Sequence, residues 1–220
     1  MARTIKKMNI KKTDQLQSTS WKIMEYVAEN KSKFLVILGI LVFFILSSSG
    51  WYLYRLNYEK NAHKMYSSAF SFNHKNELNT VKLYEELVKK YPNSDAATIA
   101  LYSLGNIYFN LNEVDKSIDA YKEFIGKAKG KNDLTALAYI GLGYCYEVKK
   151  NFTEALKSFE NSINYCIGGS YEGIIYRNMA RIHEETNNPK KAVEYYKKAL
   201  EQTTDPSMEV LIKRKISILG

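Results

Sequence analysis

The chain has 220 residues and a formal net charge of +9, yet eight basic and three acidic residues lie before Phe34, leaving only +4 for everything after Lys33. That distribution argues against a nucleic-acid-binding main domain, which needs a concentrated basic stripe. Two cysteines, Cys145 and Cys166, are too few for a disulfide framework, and three prolines with 11 glycines leave no long flexible linker.

Residues 1–13 form a basic tail, suited to fixing topology and attracting anionic lipid. Residues 14–30 predict a helix with Leu16, Ile23, Met24 and Val27 on one face, able to lie on a membrane or dock on a partner. Residues 34–54 then run for 21 positions without a charge, between Lys33 and Arg55. At ~1.5 Å per residue such a helix spans roughly 31 Å, about the hydrocarbon thickness of a bilayer. Trp51, Tyr52 and Tyr54 stand at its far end, where aromatic rings favour the interface. Ser47 and Ser49 before Gly50 offer an alternative, a cleaved signal. The charged region ahead of the segment is far longer than a signal peptide's, and the apolar run continues past that point, so an uncleaved anchor is the better reading. The basic flank keeps 1–33 in the cytoplasm and puts 55–220 on the other side. No Gly or Pro interrupts 55–72, so the anchor helix is expected to continue into the next domain.

From there the chain repeats. Ser68, Gly105, Gly143 and Ala180 step by 37, 38 and 37, and Tyr84, Tyr121, Phe159 and Tyr196 follow them at a constant gap of 16. Thr80, Ser117, Ala155 and Ala192 keep the same steps. A small residue lets two antiparallel helices approach, and an aromatic fills the layer between them. Asn76, Asn112, Asn151 and Asn188 mark helix starts at the turns, each a candidate cap for free amides. Asp205 and Pro206 begin a last helix, with Leu211, Ile212, Ile216 and Leu219 on its apolar face.

These spacings resemble the tetratricopeptide repeat, with Leu104, Gly105, Tyr108, Ser117 and Tyr121 in one unit and Leu142, Gly143, Tyr146, Ala155 and Phe159 in the next. Met179, Ala180, His183, Ala192 and Tyr196 form another, and the first unit is degenerate. The family's Trp is replaced by Leu101, Tyr139 and Tyr176. The implied architecture is all-α: one transmembrane helix (34–54) after a cytoplasmic segment (1–33), then a solenoid domain (55–220). About four helix pairs fill 61–94, 98–131, 136–169 and 173–206, with a capping helix at 207–219. The basic tail, single span, degenerate first repeat and Lys215-x-Ile216-x-x-Leu219 ending are similar in layout to the tetratricopeptide-repeat-like ancillary subunits of the bacterial SecYEG translocon. That resemblance implies an inner-membrane protein with a periplasmic domain. It would assist translocation or folding of envelope and secreted proteins, with translocon subunits, periplasmic chaperones or client polypeptides as partners. A structural or assembly subunit of another envelope complex is the alternative.

No catalytic, metal or cofactor pattern stands out. His63, His74 and His183 lack metal-ligand spacing, and residues 126–131 lack the Ser/Thr of a phosphate loop. A non-enzymatic protein is expected, with no cofactor and no nucleic acid. On the family's pattern the first helices line a binding groove through Tyr102, Asn106, Phe109, Ile140, Tyr144, Glu147, Arg177 and Arg181. Mixed aromatic and charged lining suits a peptide or partner protein.

Overall fold

The computed structural model of the chain describes residues 21, 24, 26–72, 77–129, 133–167, 169 and 171–220. The basic tail, most of 14–30, His74, Asn76 and residues 130–132 lie outside the described residues. Among those described, no strand occurs. The described residues form nine long helices in succession: α1 (Lys31–Phe72), α2 (Glu77–Lys90), α3 (Asp95–Asn110), α4 (Val114–Lys127), α5 (Asp133–Val148), α6 (Phe152–Ile163), α7 (Glu172–Glu185), α8 (Pro189–Gln202) and α9 (Pro206–Leu219). The chain divides into two units, Met1–Asn57 and Tyr58–Gly220.

In the first unit, α1 leaves its large apolar side chains from Phe34 to Leu46 exposed. By length and composition this helix is able to cross a membrane.

The second unit is built of helix hairpins. α3 packs on α4, α5 on α6 and α7 on α8, while α2–α3, α4–α5, α6–α7 and α8–α9 contacts join the hairpins in series. The first helices α3 and α5 also touch. The second helices are amphipathic in the way such packing requires. In α8, Ala192, Tyr196 and Ala199 recur at helical spacing and are all buried. Ser117, Ile118, Tyr121 and Phe124 do the same in α4. The core is therefore segmented. Tyr84, Tyr121, Phe159 and Tyr196 each anchor one of four successive buried clusters. The spacing of 16 has a direct cause: a Cβ on Gly105 would lie 2.6 Å from the Tyr121 ring, and one on Gly143 would lie 2.5 Å from the Phe159 ring. Ser117 sits at the same closest approach, donating to the Gly105 carbonyl at 2.7 Å with its Oγ 3.2 Å from the buried Cys145 Sγ.

In the first repeat the small-residue series slips. Ser68 is exposed and donates to the Lys64 carbonyl, while Ala69 and Ala62 are fully buried. Tyr84 there packs on Tyr66, ring centroids 5.4 Å apart, where the second and third repeats place a ring against glycine. The C-terminal part of α1 is tied to the α2–α3 turn by two hydrogen bonds: the Asn93 amide donates to Tyr58 Oη (3.2 Å) and the Asp95 amide to Glu59 (3.1 Å).

The turns also correct the asparagine reading. Asn151 and Asn188 do cap α6 and α8, accepting from the Glu154 and Lys191 amides. Asn112 does not cap α4. It has φ 62°, and Glu113 precedes the helix without a side-chain cap bond. Lys150 and Asn187 occupy the equivalent left-handed position, both with φ 56°. At all three turns the next amide reaches back five residues, Glu113 to Tyr108, Asn151 to Tyr146 and Asn188 to His183, each at 2.8 Å. This is the Schellman arrangement, which closes the free carbonyls at a helix end. Ser94 caps α3 from a buried position, and Asp205 caps α9 with Pro206 as its first residue.

Candidate functional site

Helices α3, α5, α7 and α9 supply one strip of cavities within the second unit. Residues three or four apart share a helix face, which groups Tyr102, Asn106 and Phe109 on α3, Tyr144 and Glu147 on α5, and Arg177 and Arg181 on α7. The structure treats them unequally. Tyr102 is half-buried, its ring 6.1 Å from Tyr121 and 5.7 Å from Phe124. Asn106 is occupied structurally, its Oδ1 accepting from Tyr121 Oη at 2.6 Å. Ile140 is a correction: it is only 6% exposed and packs in the cluster with Phe159, Ile175 and Met179, so it lines no accessible groove. An aliphatic side chain between two packed helices gains more from burial than from a wet face.

The remaining residues converge. Phe109, Tyr144, Glu147 and Arg181 line a cavity of about 320 Å³ together with Val148, Lys150 and Glu185. Arg181 is shared with a second cavity of about 240 Å³, bounded by Arg177, Asn178, Tyr196, Met208, Leu211 and Lys215. Arg177 and Met208 are shared with a third of about 280 Å³, formed with Gly173, Ile174 and residues 202–205.

Polar contacts link the successive first helices across this strip. Asn178 Nδ2, on a buried residue, donates to Tyr144 Oη at 2.8 Å, and Arg181 pairs with Glu147 at 2.7 Å. Lys215 pairs with Glu184 at 2.6 Å, and Arg177 donates to Met208 Sδ at 3.1 Å. Burial pushes the Glu147 carboxyl above its usual range against the opposing pull of Arg181. The Glu184 carboxyl is held below that range, first by its hydrogen bond from Lys215. Tyr196 Oη donates to Glu184 as well, at 3.0 Å. The strip presents fixed cations beside aromatic and thioether surface, a chemistry of recognition.

Sequence reasoning missed the contributions of Asn178, Glu184 and α9. Glu184 was accessible to it, since it follows Phe109 and Glu147 at the repeat's own steps of 38 and 37. α9 was not, because its apolar pattern identifies a packing face without revealing that Met208, Leu211 and Lys215 turn towards α7. Of that predicted face, Ile212 is fully buried whereas Leu211 is 49% exposed. Away from the strip, His183 takes the buried Tyr position and stacks on Tyr195 at 5.3 Å. Among the described residues no group of three or more His, Cys, Asp or Glu side chains is arranged to hold a metal.

No curated protein matches the chain significantly. Solved structures do. A crystal structure of MamA has a TM-score of 0.56 at 24% identity, covering 64% of this chain and 78% of that one. A second MamA structure has a TM-score of 0.57 at 16% identity, covering 74% and 80%. MamA from Desulfovibrio magneticus RS-1 gives 0.55 at 15% identity, covering 64% and 75%. At these identities the likeness concerns the fold. Three tetratricopeptide-repeat family models match residues 65–94, 81–133 and 134–205. Together they span residues 65–205, more than half of the chain, with the glycine–aromatic spacing and helix hairpins that the family requires, and the chain is a tetratricopeptide-repeat protein.

Proposed function

We propose that this chain is a membrane-anchored, non-enzymatic scaffold that assists translocation or folding of envelope and secreted proteins beside the bacterial Sec translocon. The observation that carries the reading is the uncharged 34–54 stretch, whose large apolar side chains are exposed. Exposed apolar surface of this extent is stabilised by about 25 cal/mol per Å² when removed from water, and a bilayer removes it. The basic residues before it favour a cytoplasmic N-terminus and an extracytoplasmic repeat domain. The layout resemblance to ancillary translocon subunits supports the Sec assignment, and the mixed aromatic and cationic strip supports polypeptide partners over small molecules.

The test is affinity purification of the full chain in mild detergent, with bound proteins identified by mass spectrometry. Translocon subunits with secreted precursors or periplasmic chaperones are the expected yield. Reproducible recovery of a different envelope complex, without translocon subunits, overturns the Sec assignment in favour of an assembly role.

A further inference from the structure

The 240 Å³ cavity between α7 and α9 gathers three cations, Arg177, Arg181 and Lys215. Two are already neutralised, Arg181 by Glu147 and Lys215 by Glu184. Arg177 is not. Its guanidinium donates to the sulfur of Met208, a weak acceptor, and among the described residues no carboxylate pairs with it. Asp205 shares the neighbouring cavity with Arg177, but its carboxylate accepts from the Ser207 amide to cap α9. A half-buried guanidinium with several free donors is poised for a planar anion, which it binds bidentately. The surroundings narrow the anion's chemistry. Leu211 and Ile174, at 49% and 42% exposed, stand with Met208 beside the guanidinium, so the ligand carries apolar surface next to its charge. The strip also continues past Arg177 on both sides, into the cavities it shares with Met208 and, through Arg181, with Tyr144. A ligand lying along it therefore passes through rather than ending there.

We propose that Arg177 receives the carboxylate of an internal Asp or Glu side chain in an extended partner polypeptide, with the adjacent aliphatic side chain seated on Met208 and Leu211. This rests on the scaffold reading for the ligand class alone. The site differs from one for a chain terminus, which needs a closed end, and its specificity comes from one unmatched charge rather than from total contact area.

The experiment uses the full chain in detergent micelles and short synthetic peptides blocked at both ends, with Leu-Glu-Leu at the centre of varied flanks. Binding is read by fluorescence anisotropy against twins carrying Gln for Glu, a free C-terminal carboxylate, or phosphoserine. The expected result is binding of Glu peptides about tenfold tighter than their Gln twins. Arg177→Gln removes that preference and Arg177→Lys retains part of it, with helicity unchanged by circular dichroism. If Arg177→Gln fails to fold, the Glu-over-Gln ratio of the native chain decides alone. Equal binding of Glu and Gln peptides, or binding of only the free-carboxylate or phosphoserine peptides, overturns the proposal. Tyr144→Ala separates it from the broader reading. Peptides that bind without charge preference yet are lost in Tyr144→Ala leave the groove standing without its acidic ligand. Peptides that bind neither protein, or both equally, remove the groove reading as well.

Discussion

Gly143 lies so close beneath Phe159 that its missing Cβ would stand 2.5 Å from ring carbon Cε1. Phe159 is fully buried and cannot swing aside, because Tyr144 packs against it in a T-shaped contact with centroids 5.6 Å apart. Gly143→Ala alone therefore forces the α5–α6 hairpin apart, with a loss of roughly 2–3 kcal/mol despite alanine's better helix propensity. Adding Phe159→Leu should recover part of that loss, a positive coupling between the two sites. Urea denaturation of the four variants measures it, and an unaltered midpoint in Gly143→Ala would refute the packing described.

Lys150 holds a left-handed backbone at φ 56°, a position that Asn fills in the equivalent turns at 112 and 187. A Cβ in that region is disfavoured and glycine is not. Lys150→Gly should raise stability by about 0.5–1 kcal/mol, and Lys150→Val should lower it. A thermal melt distinguishes the two directions.

Burial holds the His183 imidazole below its usual range, with Lys191 adding to the effect. Its folded-state pKa lies under the unfolded value, so the unfolded chain binds the extra proton first as pH falls. The stability associated with neutral His183 is complete above about pH 6.5 and declines from there towards the lower folded value. Replacing it by the repeat's usual aromatic, His183→Tyr, should flatten the slope of stability between pH 7 and pH 5. Identical slopes in the two proteins would exclude His183 as the source.

Topology offers a direct check on the anchor. A reporter active only outside the cytoplasm, fused after Gly220, should be active. It should lose activity when the basic residues Arg3, Lys6, Lys7, Lys11 and Lys12 are all replaced by Glu, because retention of the N-terminus depends on them. Activity from a cytoplasm-only reporter at Gly220 would contradict the proposed orientation.

Periodicity made the helix hairpins legible because Gly105 with Tyr121 and Gly143 with Phe159 are local pairs at a fixed distance along the chain. Features that depend on the next repeat were hidden. Ile140 looks like a groove residue by position, yet its neighbours Ile175 and Met179 come from α7 and bury it. Asn178 carries no signal of its own in the sequence, because the hydroxyl that accepts from it belongs to Tyr144, 34 positions earlier. Asn112 illustrates a different ambiguity. Asparagine favours both the capping position and the left-handed position just before it, and only the backbone angle separates them. Ser68 misleads because one small residue resembles another, and Ala69 beside it is the one that is buried.

Tyr121 is gripped from two directions. A Cβ at Gly105 would come within 2.6 Å of its ring, and one at Gly141 within 2.5 Å of Cζ. The first glycine belongs to Tyr121's own hairpin and the second to the hairpin that follows. A ring clasped by both cannot be released by one alone, and Leu101, Tyr121 and Leu142 share one buried cluster, so α3, α4 and α5 should open as a single cooperative unit. Native-state hydrogen exchange should give amides near Gly105 and Gly141 the same opening free energy. Fraying would then be confined to the first and last layers of the array, and a partner seated on α5 would also stabilise α3 without touching it.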